Sequence, residues 1–303
     1  MLSYHRIGDG SQSDLNRGLF SATQELLDRQ LQLLRRHCDL VAPDRLDEQL
    51  LATRGRHVIV TFDDGYRDLY ELAHPVLQAN GVRALMFLCS GFIDGQAGAW
   101  WDEIGWMVRR SHVSALPPGP WSAQSLPLTG PDLEGTIDVL TRTYWTLEPA
   151  QAREFLERLA SITGSGRRPL TGDDWITWDM AREMKASGHE IGAHTRSHPV
   201  LSRLPRAQQL EEVAASVDRI GAELGERPRS LAYPVGTRNA FDTTTLAVAR
   251  EAGVKLAFSN YGGRVTGTDF VALDIRRVPV ETLRPFDLFS AALTFPQALA
   301  RPS

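Results

Sequence analysis

Two cysteines in 303 residues, Cys38 and Cys89, are too few for a disulfide framework, and neither has a second cysteine at metal-binding spacing. Both read as small buried apolar residues. A basic excess is also missing: 33 Lys+Arg against 37 Asp+Glu leave a formal charge of -4, and no basic block is interleaved with aromatics. A nucleic-acid partner is therefore not expected. No stretch approaches roughly 18 uninterrupted apolar residues, so no transmembrane segment is expected. Met1 to Phe20 lack the basic start and apolar run of a secretory leader. As written the chain reads as cytoplasmic and soluble, although Leu2-Ser-Tyr-His5 looks like the middle of a strand and leaves room for an upstream segment. Internal repeats and low-complexity tracts are absent too.

What is present is a 42% hydrophobic sequence, ample for a buried core. Short β-branched or apolar runs alternate with amphipathic segments, the rhythm of strand–helix units around a parallel sheet. Val58 to Phe62 and Val82 to Leu88 are the clearest strands, the second following Asn80-Gly81, a helix-terminating pair. Ser21-x-x-Gln24 resembles a capping box opening a helix with Leu27, Leu31 and Leu34 on one face. Leu210, Val213, Val217, Ile220 and Leu224 form a second helical stripe. Asp242 is placed to cap a helix ended by Gly253, with a strand at Val254 to Phe258. Over residues 91–174 the rhythm breaks: Trp100-Trp101-Asp102-Glu103 precedes the Pro/Gly-rich Leu116 to Pro120 and more helix-like sequence. That length between two strands predicts a helical insertion, either one that shapes or covers a site or an inert elaboration.

Thr61-Phe62-Asp63-Asp64-Gly65 puts two carboxylates at the carboxyl end of a strand, which in parallel α/β folds is the active face. One can bind a cation while its neighbour stays free as a base; a solvated turn capping the next helix fits the same residues. His194-Thr-Arg-Ser-His198 follows the strand-like Gly188-His-Glu-Ile-Gly-Ala193. If it forms one helical turn, the two imidazoles share a face and reach one metal. Two histidines on a surface turn fit that spacing as well. His189 reads as a hydrogen-bonded structural residue, and Trp100, Trp101 and Trp106 as core aromatics with the alternative of a sugar-stacking platform.

In this order the two motifs resemble the NodB-homology polysaccharide deacetylases, carbohydrate esterase family four. The likeness extends through Gly188 to Gly192, Leu231-Ala-Tyr-Pro-Val-Gly236, Glu251-Ala-Gly253 and Ala257-Phe-Ser259. It implies one catalytic domain over 1–303, a distorted (β/α)7-type barrel with the insertion at 91–174. It makes Asp63 the catalytic base and Asp64, His194 and His198 the ligands of one divalent metal, Zn2+ first, with Co2+, Ni2+ or Mn2+ tolerated. Tyr233, Pro234 and Val235 resemble the third motif, with the Val235 amide as oxyanion donor. The implied activity is removal of N-acetyl groups from N-acetylhexosamine units of a glycan or exopolysaccharide.

Two positions depart from the family pattern. The arginine that commonly orients the base is replaced by Ala232, which leaves Arg276 and Arg277 as candidates for its role. No histidine follows His198, so the usual late general acid is missing. Leu2-Ser-Tyr-His-Arg6 resembles the exopolysaccharide-associated subgroup that carries this motif at the N-terminus, which makes His5 the candidate acid. Competing expectations are an O-acetyl esterase, a small cyclic-amide hydrolase with a closed pocket, and a carbohydrate-binding protein that has lost turnover.

Overall fold

The computed structural model describes residues 1–46, 55–263, 265, 270–283 and 285–294. Eight parallel strands share its main sheet: β1 Leu2–Tyr4, β2 Val60–Phe62, β3 Leu85–Leu88, β4 Glu190–Ala193, β5 Ser230–Ala232, β6 Leu256–Ser259, β7 Ile275–Arg276 and β8 Val278–Pro279. Their order is β7-β6-β5-β4-β3-β2-β1-β8. β7 and β8 stand at opposite edges of that order, yet only Arg277 separates them in the chain. A sheet whose two edges are one residue apart has to curl shut, so the strands form a barrel without free edges at that seam. Counted as a single broken strand, 275–279 makes seven, as the (β/α)7 expectation requires.

The strands are short and apolar on both faces, as parallel strands covered by helices must be. Alternation sorts β3: Leu85 and Phe87 join Ala232, Phe258 and Ile275 in one cluster, whereas Met86 and Leu88 join the cluster shared with the surrounding helices. Those helices are α1 Gln24–His37, α2 His74–Ala79, α3 Ser90–Ile93, α4 Trp100–Arg109, α5 Leu133–Tyr144, α6 Pro149–Thr163, α7 Trp178–Ala186, α8 Arg206–Leu224, α9 Thr243–Glu251 and α10 Phe286–Thr294. The α8 stripe buries Val213, Val217 and Ile220, and the helix stops at Gly225, whose φ of 74° suits a residue without Cβ. Asp242 caps α9 by accepting from the Thr245 amide.

One cap differs from expectation. Thr23, not Ser21, caps α1 by accepting from the Leu26 amide. Ser21 belongs to a short strand, Phe20–Ala22, and its hydroxyl is bonded to Glu281 and to the His5 amide. The capping-box spacing was therefore coincidental, because a long-range acceptor outcompetes the local one.

Between α3 and α7 the chain leaves the barrel. Here α4, α5 and α6, with the antiparallel pair Ala115–Leu116 and Leu126–Pro127, assemble a second apolar cluster around Trp101, Ile104, Met107, Leu140, Phe155 and Leu159. Gly105 lets α4 approach the 15–16 loop closely: a Cβ there would sit 2.9 Å from the Asn16 nitrogen. Among the described residues no helix is long and apolar enough to cross a membrane.

Candidate active site

The site gathers where the strands end. After β2 the backbone turns through two left-handed residues, Asp64 at φ 73° and Gly65 at φ 88°. The reversal sends the two adjacent carboxylates different ways. Asp63 meets Arg277, whose Nη1 and Nη2 donate to Asp63 Oδ1 and Oδ2 at 2.6 and 2.8 Å. Arg277 also donates to Thr61 Oγ1 at 2.9 Å and from Nε to the Ser259 carbonyl at 3.2 Å. It is fully buried, and Asp63 is 2% exposed. Burial alone would raise the Asp63 pKa, but the charge of Arg277, then those of His194 and His5, and the Arg277 hydrogen bond hold it down at about 2. Arg277 is thus the arginine that reaches the carboxylate. Arg276, the last residue of β7, makes neither of the bonds to Asp63; Arg277, between β7 and β8, makes both.

Asp64 faces His194 and His198. Its Oδ1 lies 3.4 Å from His194 Nε2 and 3.5 Å from His198 Nε2. All three residues are buried, with one ligand atom from each within 4.8 Å of the others. The His194–His198 segment is not the helical turn that the spacing predicted. It is a loop in which Thr195 and His198 are left-handed, at φ 66° and 58°, and the Thr195 hydroxyl accepts from the His198 amide at 3.1 Å. The imidazoles converge through this kinked backbone, their ring centroids 4.8 Å apart.

The donor set fits a divalent cation. His194 Nδ1 is 2.8 Å from the Ala232 carbonyl, which only accepts, so Nδ1 carries a proton and Nε2 is the ring nitrogen turned toward Asp64. Asp64 Oδ1 is buried without a hydrogen-bond partner among the described residues. A buried carboxylate oxygen left without a hydrogen-bond partner and facing two imidazoles is a place where a positive charge is favoured. Burial, then the neighbouring His194, depresses His198 to about 3, keeping the ring neutral as a ligand must be.

His5, just past β1, has Nδ1 2.9 Å from Glu281 Oε1 and Nε2 3.8 Å from Asp63 Oδ2. Burial opposes its charge, but Glu281, by charge and hydrogen bond, and then Asp64 and Asp63 outweigh it and raise the pKa to about 9. The Tyr233 hydroxyl is committed to the Leu273 carbonyl at 2.9 Å, and its ring stacks on Phe241. Val235 has φ 62°, a costly conformation for a β-branched residue. Asp64, Thr195, His198 and Val235 are the only non-glycine residues with positive φ among those described.

These side chains open into a pocket of about 250 Å³. His5, Asp63, Asp64, His194, His198, Tyr233 and Val235 line it, and Pro234 does not. The insertion supplies a wall from Trp100, Trp101, Thr141 and Trp145. Trp100 Nε1 donates to the His198 carbonyl at 3.2 Å, and Trp101 meets the His198 ring edge-on at 4.3 Å. Trp106 lies outside the pocket, with Arg110 over its ring. Glu281, Thr141 and Trp145 escaped the sequence argument. Glu281 becomes a neighbour of His5 only when β8 docks beside β1, and nothing local marks it.

The sequence profile of the polysaccharide deacetylase family matches residues 51–116 and 141–257, more than half of the chain. The chain belongs to the polysaccharide deacetylase family, whose members are hydrolases. His5 and Arg277 both lie outside the matched stretches. Among solved structures, the Streptococcus pyogenes deacetylase PplD in complex with acetate aligns with a TM-score of 0.61 at 18% identity, covering 99% of this chain and 97% of its own. IcaB from Ammonifex degensii gives 0.61 at 21%, covering 98% and 95%. A de-N-acetylase from Aggregatibacter actinomycetemcomitans gives 0.60 at 16%, covering 96% and 97%. At these identities the likeness is one of fold. The uncharacterized protein YlxY of Bacillus subtilis is 27% identical over 93 residues, and the match spans 29% of this chain and 29% of YlxY.

Proposed function

We propose that this chain is one catalytic domain that removes the acetyl group from N-acetylhexosamine units of a glycan, with residues 91–174 inserted as the outer wall of its pocket. The observation that carries the reading is the bidentate Arg277–Asp63 pair, which gives the base an orienting arginine although Ala232 occupies the usual position. A binding-only reading rested on that vacancy and on the missing late histidine, and His5 now stands 3.8 Å from Asp63. Two of the proteins of similar fold are a deacetylase seen with acetate and a de-N-acetylase.

In this reading Asp64, His194 and His198 hold one divalent ion, zinc first, which when bound polarises the acetyl carbonyl and acidifies water. Asp63 accepts the proton of the attacking water. Each carboxylate oxygen has two lone pairs, so the Arg277 bonds leave acceptor capacity on the pocket side. Arg277 fixes the carboxylate plane and prevents rotation away from the acetyl group. The Val235 amide, turned by its left-handed backbone, donates to the developing oxyanion. His5, held through Nδ1 by Glu281, delivers a proton from Nε2 to the leaving nitrogen.

The test is acetate release from N-acetylglucosamine oligomers, with metal content measured alongside. Asp64→Ala and His194→Ala should lose both the ion and turnover, whereas Asp63→Ala should keep the ion and lose turnover. Equal metal retention in all three variants would overturn the ligand assignment. Release from acetyl esters alone would make the enzyme an esterase.

A further inference from the structure

The insertion places two unsatisfied polar groups in the pocket wall. Thr141 and Trp145 lie four residues apart, at the end of α5 and just beyond it, so their side chains stand one above the other on one face. Both line the pocket that contains Asp63 and Asp64. Thr141 is 8% exposed, and its Oγ1 is buried without a hydrogen-bond partner among the described residues. Trp145 Nε1 is in the same state. Buried polar groups are almost always paired, so two such groups on one wall call for a ligand. The neighbouring Trp100 offers no free donor, since its Nε1 is given to the His198 carbonyl and its ring stacks on Tyr144 at 4.2 Å.

We propose that Thr141 and Trp145 form the sugar-recognition subsite of this pocket, binding a ring hydroxyl of the pyranose that carries the acetamido group. The chemistry of the pair suits a sugar hydroxyl. An indole N–H only donates, whereas a threonine hydroxyl both donates and accepts. A sugar hydroxyl accepts from Trp145 and donates to Thr141, so both groups are satisfied at once. The subsite rests on the deacetylase reading, because the substrate's acetyl group has to lie toward Asp63 for its ring to reach this wall. Thr141 and Trp145 stand at the start of the second stretch that the family profile matches, just after the unmatched residues 117–140 in which α5 begins.

The experiment compares wild type, Trp145→Phe and Thr141→Val on two probes, chitotetraose and 4-nitrophenyl acetate, which has an acetyl group and no sugar ring. Phenylalanine keeps an aromatic ring without the N–H, and valine keeps the branched shape without the hydroxyl. In each variant the ratio of kcat/KM for chitotetraose to that for the ester should fall about tenfold, the worth of one such hydrogen bond. An unchanged ratio in both variants overturns the subsite, whether activity is intact or lost equally on both probes. If wild type releases no acetate from chitotetraose, the catalytic reading fails separately, and calorimetric binding of chitotetraose then decides the subsite. About tenfold weaker binding by either folded variant supports it. Equal affinity, or no binding to wild type, overturns it.

Discussion

Acid should weaken this protein through one identifiable pair of rings beneath the barrel. His189 Nδ1 accepts from the Ala84 amide at 3.0 Å, so its proton sits on Nε2, which is 3.0 Å from His74 Nδ1. His189 is 4% exposed, and burial, then the His74 and Arg83 charges, depress its pKa from 6.5 to about 4. A histidine that is harder to protonate when folded contributes stability above its unfolded pKa and loses it as pH falls toward the folded one. From 6.5 and about 4, the loss relative to neutral pH is about 2 kcal/mol by pH 5 and about 3 kcal/mol by pH 4. Urea unfolding followed by tryptophan fluorescence at pH 7 and pH 5 measures it. In His189→Gln, whose side-chain oxygen can still accept from Ala84, the drop between these pH values should be smaller by about 2 kcal/mol. His74 is bonded to His189, so the difference reports on the ring pair. The same drop in both would refute the reasoning.

Arg277→Met leaves Asp63 charged and buried, so it should cost about 3–5 kcal/mol in urea unfolding, and clearly less in an Asp63→Asn background. Equal costs in the two backgrounds would show that the pair is not coupled. Glu281→Gln removes the carboxylate that keeps His5 protonated up to about 9, so the alkaline limb of kcat should move to lower pH; an unmoved limb would take the acid role from His5. Gly105→Ala drives a methyl to within 2.9 Å of the 15–16 backbone and should lower stability by roughly 1–3 kcal/mol, read as a fall in Tm.

How much of this was legible depended on whether neighbours in space were neighbours in sequence. The alternation of apolar runs and amphipathic stripes announced the strand–helix units, because burial of Val213, Val217 and Ile220 is written at helical period. Barrel closure was inherited from resemblance, since periodicity is the same for an open sheet. The Asp63-Asp64 and His194/His198 motifs were legible because the side chains that converge come from two short segments. Their backbone was not: a spacing of four invited a helical turn, whereas the chain uses left-handed residues at Thr195 and His198. Arg277 stood as one of two adjacent candidates, and only its place in the break between β7 and β8, facing Asp63, separates it from Arg276. Glu281, Thr141 and Trp145 carry no local signature. They acquire meaning only when β8 meets β1 and the insertion folds over the strand ends.

The seam at Arg277 ties chemistry to the completion of folding. β1 pairs with β8 on one side and β2 on the other, so the first strand and the last close the barrel together. His5 enters the site from one end of that closure and Arg277 and Glu281 from the other, whereas Asp64, His194 and His198 lie on β2, β4 and the loops that follow them. On the proposed reading, a chain synthesised only as far as β6 would carry the three candidate ligands but neither the guanidinium bonded to Asp63 nor the carboxylate bonded to His5. On that reading the residues for cation binding and those for turnover come from different parts of the chain, and the final strand completes the set.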